Sequence, residues 1–455
     1  MLSVSKRLLL FLSFFINLKS QSAAEAIHFL ENEIGFGARS LSMGGAYTSL
    51  GNDPSGMYWN PAGLASIKSG VVYVETHSLD YNNSINYLNQ IKENPLKVGR
   101  LNGFGITFPI PTIRGSLVLG MGFNRLIHYD QLVSFSGFSN TDNGLTFPIN
   151  GNNVLFSNNV FREELIANTG SLNMWSFSFG IALAENLSGG LSLSRVVGDE
   201  SYDFRFIQKD DKDNYNVYPS DFKTYNLDQK LITDIRSWNL TGGLKAIVSD
   251  NLQFGLSLSL PMTINIEEQH ATSEKMIFDN DEEFNVNESG YYVYRIKTPM
   301  VIDFGLAFKI NDFIISSGFK MKDWSKTKFD LKGIDDLSED FEYFQSENIF
   351  LAKDYGLTMQ VKIGAEYLLK ISDTFGLNIR AGYNETPSPE KSTMQEEAIE
   401  RISFGIGFPL SSNILINATL VNSNWDKISS DTYAPSEAIE SVSAKKIFIN
   451  TAYLF

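Results

Sequence analysis

The 455-residue sequence contains no cysteine. Disulfides, zinc–thiolate centres and cysteine nucleophiles are therefore excluded together. Histidine is scarce: His28, His77, His128 and His270 are the only four, and none sits in an HExxH. With no GxSxG and no P-loop either, hydrolytic and nucleotide-driven chemistry lack their parts, and no enzymatic activity, cofactor or metal is expected. Positive charge is also in deficit, 37 Lys and Arg against 52 Asp and Glu for a net charge of −15, which argues against nucleic acid as a partner. Beyond the N-terminus no run of about 18 apolar residues occurs, so a helical inner-membrane protein is excluded.

What is present begins with a leader. Lys6 and Arg7 precede a mainly apolar run from Leu8 to Leu18, and small residues follow at Ser20, Ser22, Ala23, Ala24 and Ala26. This is the pattern of a secretory signal peptide, assigned here to residues 1–24, with cleavage open between Ser20, Ala24 and Ala26.

The rest of the chain is dominated by period two. From Leu357 to Tyr367 the odd positions are all apolar, while Thr358, Gln360, Lys362 and Glu366 alternate with them. One wholly apolar face on a strand is the signature of a wall that meets lipid. Strands are expected near 69–78, 101–109, 114–130, 171–184, 190–205, 230–248, 252–268, 290–309, 313–330, 354–370, 374–387, 398–409, 412–426 and 443–455, with a turn at Ser372 and Asp373 and polar loops between alternate pairs. Fourteen strands, an even number, return both termini to one side. The predicted fold is all-β: a 14-stranded antiparallel transmembrane barrel over 69–455, set in a bacterial outer membrane among its lipid and lipopolysaccharide. The last strand alternates Ile447, Ile449, Thr451, Tyr453 and Phe455. Its terminal aromatic resembles the signal read by the outer-membrane assembly machinery, with Tyr453 and Phe455 as its carriers.

One stretch does not fit a strand. Gly35 to Ser66, GFGARSLSMGGAYTSLGNDPSGMYWNPAGLAS, holds seven glycines and two prolines in 32 residues, a composition that suits neither a long helix nor a strand. It must be held by its surroundings, and residues 27–68 are read as a plug inside the barrel. GARSLSMGGAY followed by NDPSGMYWNPAGLA resembles the N-terminal hatch of the FadL/TodX outer-membrane channels for long-chain fatty acids and other hydrophobic molecules. The hatch residues are Gly35, Gly37, Arg39, Gly44, Gly45 and the turn Asn60, Pro61, Ala62. Further pieces resemble the same family in the same order: KDWS at Lys322 to Ser325, IGAEYLL at Ile363 to Leu369, RAGYNETPSP at Arg380 to Pro389, and RISFGIGFPL at Arg401 to Leu410.

The resemblance implies passive transport of hydrophobic or amphipathic small molecules through an internal apolar pocket, released by hatch movement and often through the barrel wall. The alternative is a protein-shuttling barrel of a type IX secretion-like system, where a related hatch motif occurs. A general porin would need an open lumen, against which the plug argues. Arg39 is the only charged residue from Gly35 to Asn52; it either meets a ligand carboxylate or pairs with a wall acid and pins the hatch. Lys362, Glu366 and Arg380 face the lumen and are read as an ion-pair network around the plug.

Four loops carry further signals. Gln131 to Gly170 is unusually apolar, with Phe135, Phe138, Phe156 and Phe161 among others; it either caps the pocket, captures ligand, or folds on a small core of its own. In the family a first ligand groove lies between loops that fall here at Phe206 to Gln229 and Gln269 to Ser289. The acidic runs Asp210 to Asp213, Asp279 to Glu283 and Asp335 to Glu342 lack EF-hand spacing and are read as solvated surface.

Overall fold

The computed structural model describes residues 22–455 apart from 32, 150–151, 219, 373–374, 392–397 and 430–432. The expected leader lies outside the described residues up to Gln21, as does the turn residue Asp373. Among the described residues no helix is long and apolar enough to cross a membrane.

The strands close into a fourteen-stranded antiparallel barrel. They are β1 (Val71–Tyr87), β2 (Gln90–Ile110), β3 (Leu117–His128, continued by Gln131–Ser139), β4 (Val160–Ala184), β5 (Leu187–Lys209) and β6 (Phe222–Ser249). Then come β7 (Leu252–Ser259 and Thr263–Phe278), β8 (Glu283–Lys297 and Val301–Ile310) and β9 (Phe313–Asp323 and Lys328–Phe329). The last five are β10 (Leu357–Lys370), β11 (Gly376–Thr386), β12 (Ile399–Pro409), β13 (Ile414–Ser429) and β14 (Ala438–Leu454). Closure is made by β1 and β14, paired from Val71 opposite Leu454 to Asn86 opposite Ile439. Gly70 and Phe455 exchange backbone hydrogen bonds of 3.0 and 2.9 Å, so the wall's first and last residues meet at the short-turn end.

Alternation sorts the side chains. Val74, Phe104, Phe177, Leu193, Leu240, Ile363, Phe404 and Ile449 are exposed on the outside, while Ser176, Ser192, Thr241, Lys245, Ser316, Lys362, Arg380 and Lys446 are buried within. Apolar out and polar in is the reverse of a soluble protein and is what a lipid-facing barrel requires. Tyr453 and Phe455 lie on the exposed face with their rings stacked.

Four strands are broken, each for a local reason. Pro261 separates the halves of β7 and Pro299 those of β8; proline has no N–H to give the ladder. β9 breaks at the 3-10 turn Trp324–Lys326, and β3 at Tyr129 and Asp130.

At the end opposite the short turns several strands run far past the expected limits. β5 and β6 occupy half of 206–229, and β7 and β8 most of 269–289, so the expected groove loops are in large part strand. The cause is a second apolar core, in which Phe204, Phe206, Phe222, Tyr225, Met276 and Phe278 pack together inside the wall. The expected loop 131–170 contributes Phe156 and Val160 to that core and Phe135 to another with Tyr87. Leu88 and Asn89 turn β1 directly into β2 through positive φ, where no pattern is evident in the sequence. The acidic run 339–342 opens a helix, α1 (Glu339–Asp354), whose Ser338 cap accepts from Phe341 N and whose first-turn acids complement the helix dipole.

Candidate functional site

The N-terminal segment forms short turns rather than long elements: a helix at Ala23–His28, others at Ala38–Ser42 and Gly56–Trp59, and a 3-10 turn at Pro61–Ser66. Gly35, Gly37, Gly44 and Gly45 all have positive φ, from 62° to 98°, a region open to glycine at little cost. Asn60 organises the NPA turn: its Oδ1 accepts from Ala62 N at 3.0 Å, and its Nδ2 donates to Thr48 O at 2.7 Å and to Leu244 O on β6 at 3.0 Å.

The wall receives this segment backbone to backbone. Gly190, Gly243, Gly255, Gly364 and Gly382 each face it so closely that an added Cβ would lie under 3.0 Å from Pro61, Asn60, Thr48, Met43 and Gly44 respectively. Wall side chains then bond its peptide groups. Ser316 donates to Ala46 O at 2.7 Å, Lys245 to Leu50 O at 2.7 Å and Asn384 to Gly44 O at 3.2 Å. The buried Glu75 carboxylate on β1 accepts from Ala38 N at 2.7 Å and Gly37 N at 3.2 Å.

The expected ion-pair residues fall into two groups, not one network. Arg39 forks onto Glu366, with Nε and Nη2 at 2.8 and 2.7 Å, and reaches Asn52 with Nη1. Arg380 donates to the same Glu366 at 2.5 Å and to Asn417 at 2.9 Å. Lys362 instead meets Asp303 at 2.5 Å, whose other oxygen accepts from Thr48 at 2.6 Å. The Arg39 guanidinium is thus engaged by a wall acid.

A pocket of about 90 Å³ lies between the segment and the strand breaks. Leu30, Met57, Leu126, Leu172, Met174, Val196 and Met262 give it an apolar side, and Thr298 and Pro299 come from the bend in β8. Glu33, Lys320 and Lys322 line its other side, and the same three groups line an adjoining cavity of about 60 Å³. Lys320 donates to Tyr58 Oη at 3.0 Å, and Tyr58 donates to Glu33 at 2.6 Å. Burial pushes the Glu33 carboxyl up, but neighbouring Lys320 and the Tyr58 hydrogen bond outweigh it and hold the carboxyl below its ordinary value. Lys322 differs: its ammonium lies 3.5 Å from the Trp324 ring centroid and makes no hydrogen bond or ion pair among the described residues. A pocket with an apolar wall and one unpaired cation can hold an amphiphile with an acid end.

Sequence reading missed Glu33, Tyr58, Lys320, Lys322 and Glu75 as site residues. A signal existed for the lysines, since Lys320 and Lys322 are two apart on one strand and share a face. That Lys322 lies unpaired depends on what the breaks in other strands bring near it, which no local pattern carries.

No family model matches the sequence, and no curated protein matches it. Among solved structures the chain is similar to the P. putida toluene transporter TodX, with 13% identity over 93% of this chain and 99% of that one and a TM-score of 0.59. It is similar to a Pseudomonas aeruginosa FadL homologue at 12% identity, 92% and 99% coverage and a TM-score of 0.60. It is also similar to the Ralstonia pickettii toluene transporter TbuX at 14% identity, 93% and 99% coverage and a TM-score of 0.56. The FadL/TodX resemblance read from the motifs therefore extends over nearly the whole chain at the level of fold.

Proposed function

We propose that this protein is an outer-membrane passive transporter of hydrophobic or amphipathic molecules, with long-chain fatty acids as the favoured class and the N-terminal segment as a hatch that plugs the lumen. The observation that carries the reading is the pocket between hatch and wall, apolar on one side and ended by the unpaired Lys322. A lipid tail crosses a polar leaflet at a cost of about 0.8 kcal/mol per CH₂ of burial lost, so a dry pocket is a cheaper route. A cavity near 90 Å³ takes only part of such a chain, and the hatch must shift for the remainder. The hatch also buries Phe36, Met57, Leu64 and Trp59 in apolar cores shared with the wall, so that shift has to open part of this packing. The wall also supplies a way out: β2 pairs with β3 only from Gly103 opposite Asn124 onward, and residues 90–101 of β2 ladder with β1 alone, meeting β3 through the side chains of Lys92, Asn94 and Arg100. That unzipped seam is the proposed lateral exit.

The test is calorimetric titration of hexadecanoate into the purified barrel, for wild type, Lys322→Gln and Arg39→Ala. Saturable binding is expected, weakened about tenfold or more in Lys322→Gln through loss of one charge-assisted hydrogen bond. Arg39→Ala is expected to bind as wild type does, because that guanidinium serves Glu366. Absence of saturable binding by the folded wild type defeats the reading, and the secretion-like shuttle then becomes the better account.

A further inference from the structure

A second cavity of about 90 Å³ lies beyond Ile127 and Glu31 from the Lys322 pocket, beside the unzipped seam, and its walls include Tyr81, His128, Asp130, Arg401, Ser423 and Lys446. Arg401 on β12 and Lys446 on β14 are 5% and 7% exposed. Ser423 on β13 stands directly opposite Arg401 in the ladder and Val421 directly opposite Lys446, so the two cations flank one strand. Arg401 donates through Nη1 to the neutral Asn384 and Thr386, and its Nε is buried with no partner among the described residues. Lys446 makes no hydrogen bond or ion pair among the described residues.

The acids facing this space already have cations of their own. Asp130 is held by Arg100, with Nε at 3.1 Å and a shorter contact from Nη2. Glu31 lies 3.7 Å from His28, which also meets Glu200 at 2.8 Å. The ring Nδ1 of His128 has no hydrogen-bond partner among the described residues, and Asp130 lies 4.0 Å from it. A buried lysine can shed its charge, but an arginine cannot. An arginine buried without a counter-charge is costly, and here its free edge and an ammonium border one small cavity.

We propose that this cavity is an oxyanion site, in which Arg401 and Lys446 take a carboxylate or phosphate group. Its place beside the seam makes the acid head of an amphiphile the fitting occupant; that choice rests on the transporter reading above, whereas the anion site itself does not.

The experiment titrates inorganic phosphate, dodecanoate and dodecanol into the full barrel in the Lys322→Gln background, which removes the other pocket's cation. It compares that protein with one also carrying Arg401→Gln and Lys446→Gln, and with one carrying the charge-keeping swap Arg401→Lys and Lys446→Arg. Heat-shifted migration on gels verifies that each is folded. Dodecanoate is expected to bind more tightly than dodecanol, and the glutamine pair to erase the preference by about a hundredfold, equivalent to two charge-assisted hydrogen bonds. The swap is expected to retain most of it. Phosphate competing with dodecanoate identifies a free oxyanion as sufficient; preference without phosphate binding identifies a headgroup delivered on its chain. An acid preference unchanged by the glutamine pair, or absent together with phosphate binding, overturns the proposal. Failure of dodecanol to bind any form tells instead against the apolar pocket, and leaves the phosphate result to decide this site.

Discussion

At the scale of single residues, the N-terminal segment is fastened by charges whose geometry decides their worth. Arg39 is a fork on Glu366, a match that lysine, a point charge, does not reproduce. His28 is a softer fastening. Burial lowers its basicity, yet Glu200 and Glu31 more than compensate and raise its pKa from 6.5 to about 10. A folded-state value above the unfolded one means that the protonated imidazole stabilises the docked helix Ala23–His28. That contribution is complete below pH 6.5, shrinks as pH rises from there, and is gone above about 10. Chymotrypsin cleavage at Phe29 should therefore be slower in wild type than in His28→Gln at pH 6.5, and the difference should vanish toward pH 10. A difference that stays constant across this window would show that His28 holds the helix by packing alone.

At the scale of elements, hatch docking is a matter of glycines in strands. Gly364 and Gly382 are cross-strand partners on β10 and β11; Gly364 abuts Met43, and Gly382 abuts Met43 and Gly44. Neither contact involves a flexible side chain on the wall side, so there is nothing to give way. Gly382→Ala is expected to displace the Met43–Gly45 turn at a cost of about 1–3 kcal/mol, seen as faster hydrogen exchange in residues 38–46 with the strand amides unchanged. Gly99→Ala, with nothing within 4 Å of the added methyl, is the matched control. Equal exchange in the two variants would mean that the wall glycines do not set the hatch position. These contacts also mark the limit of what the sequence discloses. Period two in stretches such as Leu357 to Tyr367 made each of the fourteen strands visible, because lipid on one side and water or polar groups on the other repeat the same demand at every second residue. Strand ends were not visible where that demand stops: above the apolar band, Phe206, Phe222 and Phe278 form a core of the soluble kind, whose pattern reads as an apolar loop. The Gly-rich hatch was legible as a segment needing support, but which wall glycine meets which turn depends on register around the whole barrel.

At the scale of the molecule, wall and hatch are separable in their bonding. The wall closes on itself through the β1–β14 ladder, and at its long-strand end three stretches have one ladder partner only: residues 90–101 of β2, Gln131–Ser139 of β3 and residues 283–295 of β8. The hatch adds hydrogen bonds to inward side chains but no strand to the sheet. Removing residues 27–68 should therefore leave a barrel that still folds and inserts, because no wall ladder is lost. It would expose a lumen lined by Ser176, Ser192, Thr241, Ser316 and Ser403, small and hydroxylated, which water and ions wet readily. Planar-bilayer recordings should show steady ion conductance for the deletion and almost none for the full chain, and saturable hexadecanoate binding should be lost because Met57 and Tyr58 leave the pocket. Charge also matters to the outcome. Without Arg39 and Thr48, Glu366 and Asp303 would keep Arg380 and Lys362 as partners, while Glu75 and Glu200, losing Gly37, Ala38 and His28, would keep Asn102 and Asn168 and gain water from the opened lumen. Conductance in the full chain equal to that of the deletion would show that the segment does not seal the lumen, and the transporter reading would give way to an open pore.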